Sequence, residues 1–85
     1  MQIIEIIVEN KKYQIEWALS EHFDELKGKK FMLNEVAADQ IVMIDNLSEI
    51  AKILLSAIAG AVIQHLIDSN CQIESIFKGG YFIVK

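Results

Sequence analysis

Arginine, threonine and proline do not occur in this 85-residue chain, and cysteine occurs once, at Cys71. Without arginine the chain lacks the planar fork that grips phosphates and guanine edges, and its eight lysines are outnumbered by twelve Asp and Glu, for a net charge of −4. That balance repels phosphate, so nucleic acid is not an expected partner. The two basic clusters, Lys11-Lys12 and Lys27-Gly28-Lys29-Lys30, fall where turns are expected and read as solvated loop charge. A single cysteine excludes an intramolecular disulfide framework and suits a reducing compartment. The opening Met1-Gln2-Ile3-Ile4-Glu5 has neither the basic start nor the long apolar stretch of a signal peptide, so a cytoplasmic location is expected. The missing proline and threonine, beside abundant Ile, Lys and Asn, have the look of AT-rich coding.

Catalytic and metal-binding patterns are equally sparse. No HExxH, CxxC or glycine-rich phosphate loop occurs, and neither His22 nor His65 has a partner at metal-ligand spacing. Cys71 follows a helix end whose dipole disfavours a thiolate, and no serine sits in a nucleophile elbow. The acidic groups Glu21/Asp24/Glu25 and Glu35/Asp39 read as solvated faces. No catalytic, cofactor-binding or metal residue is therefore assigned, and no cofactor is expected.

What the chain has in excess is apolar surface. Hydrophobic residues make up 53 %, fifteen of them isoleucine, whereas a domain of this length buries only about 60–65 % of its unfolded surface. One domain over residues 1–85 is expected, with something outside it covering the surplus.

The patterning predicts an α+β fold: two β-hairpins, N- and C-terminal, forming a small antiparallel or mixed sheet packed on one long helix, with one or two short helices. Residues 2–9 and 12–18 pair across Asn10-Lys11, with Val8 opposite Tyr13, Ile6 opposite Ile15 and Ile4 opposite Trp17. This register also sets Glu5 against Glu16, which a nearby lysine or solvent must relieve. Ser20 caps a short helix over 21–27 that Gly28 stops, 29–33 extend briefly, Asn34 caps a turn over 35–39, and 41–44 form a buried strand. Asn46 caps the long helix, about 47–69, in a box with Glu49. Gly79-Gly80 closes the second hairpin by a type I′ turn, setting Phe77 against Phe82, Ile76 against Ile83 and Glu74 against Lys85.

At about 100° per residue, Leu47, Ile50, Ala51, Leu54, Ile58, Ala61, Val62 and His65 share the stripe expected to face the sheet. The opposite side carries Ile53, Ser56, Ala59, Gly60, Ile63 and Ile67, a small-residue groove flanked by isoleucines, in place of the usual charges. The uncharged stretch 53–67 reaches only about 22 Å as a helix, too short for a bilayer core, so no membrane is expected and the second face is assigned to self-association. The expected function is a non-catalytic, oligomeric protein-interaction module: an adaptor, regulator or inhibitor with a protein partner, of a size and composition that fit a phage or mobile-element product. The alternative is a small-ligand-binding or enzymatic oligomer whose site forms between subunits, drawing on His22, His65, Cys71 or the acidic patch over 21–25.

Overall fold

A computed structural model describes the chain apart from residues 19–21 and 37 and the side chains of 38, 39 and 42. It is an α+β fold of two layers. The elements run β1 (Gln2–Val8), β2 (Lys11–Trp17), a 3₁₀ turn (Phe23–Glu25), β3 (Lys30–Met32), a 3₁₀ segment (Ala38–Met43), α1 (Glu49–Asp68), α2 (Ile73–Phe77) and β4 (Tyr81–Val84). The four strands form one sheet in the order β2-β1-β4-β3, antiparallel throughout, and α1 lies across one face. Alternation puts Ile4, Ile6, Val8, Phe31, Phe82 and Val84 on that covered face, all buried.

The N-terminal hairpin forms, but its turn is Glu9-Asn10, with φ of 51° and 66°. Both central residues of a type I′ turn need positive φ, and asparagine tolerates it better than lysine does. The pairing is therefore Val8 with Lys11, Ile6 with Tyr13 and Ile4 with Ile15, two residues away from the expected register. A slip of two keeps every side chain on its own face, so burial alone barely separates the two registers. The observed one sets Glu5 opposite Gln14 instead of Glu16, and Lys85 Nζ reaches Glu5 Oε2 at 3.6 Å.

The C-terminal hairpin is replaced by another arrangement. β4 inserts between β1 and β3, pairing Ile6 with Phe82 on one side and Phe31 with Phe82 on the other. With both edges of β4 occupied, residues 73–77 have no ladder to join and coil into α2, which buries Ile76. The two glycines then serve different ends. Gly79 takes φ 94° to leave the helix, while a Cβ on Gly80 would collide with the carbonyl oxygen of Ile76 and crowd Leu33.

In the middle of the chain 30–32 extend as expected, but Ala38–Met43 is a 3₁₀ segment and not a strand over 41–44. β3 already holds the edge beside β4, and Ile41 is buried from the 3₁₀ segment instead. Of the expected helix over 21–27, the 3₁₀ turn Phe23–Glu25 and the stop at Gly28, φ 80°, are present; the Ser20 cap lies outside the described residues.

α1 begins two residues later than the Asn46 cap implied. Ser48 is the N-cap, its hydroxyl accepting the Ala51 N–H at 3.1 Å, while Asn46 takes φ 68° in the preceding turn. Its C-terminus is a Schellman motif: Asn70 is left-handed at φ 66°, the Cys71 N–H donates to the Leu66 carbonyl and the Asn70 N–H to Ile67, both at 3.0 Å.

Candidate functional site

α1 is apolar around nearly its whole circumference, so its sequence pattern has a weak direction, and the sheet settles how it is turned. The buried residues are Ala51, Leu55, Ile58, Ala59, Val62 and Leu66. Compared with the expected inner stripe, the helix is rotated by roughly 70° about its axis, taking about 100° per residue. Leu55 and Leu66, the long leucines a sheet face accommodates, go inside, and Ile50 is 54 % exposed.

Five of the six residues assigned to the second face remain on the outer side. Ile53 is 70 % and Ile67 42 % exposed, Ser56 and Gly60 are exposed, and Ile63 is half-buried. Ala59 is the exception: at 3 % exposure it belongs to the core. The rotation also brings Ile50, Ala57 and Gln64 to the surface, and Ile73 at the start of α2 is exposed as well. The signal for Ile50 was the pair of leucines at 55 and 66, whose shared side lies away from it.

The outer side has a formal charge only toward its ends. Glu49 stands exposed near the N-terminus, in an ion pair with Lys52 at 3.8 Å, and Asp68 at the C-terminus accepts from Gln64 Nε2 at 2.9 Å. By length and composition α1 could cross a membrane, yet its inner side is committed to the sheet; 33 % of its most apolar window is buried inside the fold. The rest of that window is not covered by the domain itself.

The residues of the alternative, site-bearing reading divide between the two ends of α1. His22 Nδ1 lies 3.7 Å from Glu25 Oε2, and Glu25 binds Ser48 at the helix N-cap. Beyond the C-terminus, Cys71 Sγ and Tyr13 Oη are hydrogen-bonded at 3.1 Å, and the His65 ring meets the Tyr13 ring edge-on at 6.3 Å. A helix of 20 residues puts about 30 Å between these clusters. Glu21 lies outside the described residues.

The bond with Cys71 pushes the Tyr13 phenol above its ordinary range, with lost solvation and the negative charges of Cys71 and Glu9 acting in the same direction. A cleft of about 130 Å³ opens beside this pair, lined by Glu9, Lys11, Ser69 and Ser75 among others. That is well under the roughly 300 Å³ at which pockets begin to enclose a small ligand. Among the described residues no three of His, Cys, Asp and Glu gather as a metal-binding group.

Comparison with known proteins finds no family model, curated protein or solved structure that matches the chain. The outer face of α1 is thus the strongest site the molecule itself offers.

Proposed function

We propose that the protein is a non-catalytic interaction module of the adaptor, regulator or inhibitor kind, working in the cytoplasm and assembling with itself through the outer face of α1. One observation carries the reading: Ile53, at the centre of an uncharged helix face, is 70 % exposed. Ile50, Ile67 and Ile73 are exposed on the same helical layer. Leaving such a cluster in water forfeits the burial that drives association, about 25 cal/mol for each Å² covered. Its shape suits a protein surface better than a substrate, since no cleft and no convergent polar groups lie along it.

Sedimentation equilibrium tests the proposal. Wild-type protein is expected to associate at micromolar concentration, and Ile53→Asp to sediment as a monomer with an unchanged circular dichroism spectrum. A wild-type protein that stays monomeric at high micromolar concentration overturns self-association.

A further inference from the structure

This inference rests on the reading above and specifies it. We infer that the partner on the outer face of α1 is the same helix of a second copy, packed antiparallel about a two-fold axis, with the two helix axes closest at Gly60.

The first argument is a glycine that the fold does not need. The chain has four glycines. Gly28 and Gly79 have positive φ, and Gly80 has no room for a Cβ. Gly60 has neither reason: it sits in the interior of α1, exposed, and a Cβ there would meet nothing within 4 Å. A glycine in mid-helix costs about 1 kcal/mol relative to alanine. An approach by a backbone from outside the domain supplies the reason its own packing does not.

The second argument is spacing. Ile53, Ser56, Gly60, Ile63 and Ile67 follow one another at intervals of three, four, three and four. That is the 3.5-residue repeat by which one helix packs along another. No other described segment can supply the facing helix within the chain, because the remaining helical pieces have 3, 6 and 5 residues. The facing helix comes from another molecule.

The face is also complementary to itself. Ile53 and Ile67 each stand seven residues from Gly60, so an antiparallel pair centred on Gly60 sets each Ile53 beside Ile67 of the other copy, twice by symmetry. Glu49 carries the charge at one end of this seam. A parallel pair would bring the two Glu49 carboxylates together and align the helix dipoles, whereas an antiparallel pair separates both. A lipid surface would have no use for a small centre between large isoleucines, and it would have to take up Gln64. The resulting assembly has four layers, with the sheets outermost and the two α1 helices between them.

Disulfide trapping in a Cys71→Ser background tests the arrangement alongside sedimentation. Ile53→Cys mixed with Ile67→Cys is expected to form a mixed disulfide well in excess of either variant alone. Gly60→Leu, which meets no atom of its own domain, should weaken association tenfold or more with the fold intact. If each cysteine variant cross-links only with itself, the helices are parallel; this inference is then overturned while self-association through α1 stands. An oligomer that gives no cross-link and ignores Gly60→Leu overturns both readings. A monomer that floats with phosphatidylcholine vesicles also overturns both, because lipid would then be the occupant.

Discussion

The carboxylate of Glu25 accepts two hydrogen bonds from Ser48, one from its backbone N–H at 3.0 Å and one from its hydroxyl at 2.7 Å. The same hydroxyl accepts the Ala51 N–H, so one serine caps α1 and fastens the helix start to the turn after β2. This contact, spanning 23 residues of chain, explains why the helix begins at Ser48 and not at the equally suitable Asn46. Ser48→Ala removes the cap and strips Glu25 of a hydroxyl donor. The expected loss is about 1 kcal/mol from the cap alone, which lowers the melting temperature of a domain this small by roughly 4–8 °C. Thermal unfolding followed by circular dichroism checks it.

Glu25 also makes stability depend on pH. The Ser48 hydroxyl, then the Ser48 N–H and His22, hold its carboxyl below the ordinary range, against a smaller opposing effect of desolvation. A carboxyl depressed in the folded state contributes stability that is fully present above its unfolded value, about pH 4, and is lost as pH falls through the folded value. The stability gap between wild type and Glu25→Gln should therefore be constant from neutrality to about pH 5 and narrow in more acid solution. Urea unfolding across that range would show it. A gap that widens in acid would contradict the assignment.

Two glycines should respond to alanine with opposite signs. At Gly80 the new methyl group runs into the Ile76 carbonyl, which is backbone and cannot step aside. Gly80→Ala should cost about 1–3 kcal/mol, or prevent folding. At Gly60 the methyl group points into open space, so Gly60→Ala should stabilise the monomer by up to about 1 kcal/mol. Denaturant titration below the association range separates this gain from any change in assembly.

The rotation of α1 is testable on two residues of similar size. Leu55 is fully buried and Ile50 is 54 % exposed. Leu55→Ala should cost about 2–5 kcal/mol, and Ile50→Ala should stay within about 0.5 kcal/mol. Equal losses would mean that the helix is turned differently on the sheet.

The Tyr13–Cys71 pair has a spectroscopic signature. In a Tyr81→Phe background, ultraviolet titration should find the remaining phenol, Tyr13, ionising above the ordinary tyrosine range. Adding Cys71→Ala removes the leading cause and should bring the titration back toward that range. No change would show that the hydrogen bond with Cys71 is not what holds the phenol proton.

Local signals in the sequence were enough for the elements that local chemistry controls. Alternating isoleucines specify β1, the turn at residues 9–11 specifies a hairpin, and a capping residue followed by a long apolar run without proline specifies α1. The second apolar face was legible for the same reason: five of its six residues lie on whichever side of the helix the sheet does not take. Choices between locally equivalent options were left to tertiary structure. The hairpin register differs from the expected one by two residues because a slip of two preserves every face, and turn geometry then decides. Residues 73–77 have strand-forming chemistry but become helix because β1 and β3 have already taken both edges of β4. The roll of α1, which moves Ala59 inside and Ile50 outside, was fixed only by the sheet beneath it, because a helix that is greasy all round carries no direction of its own.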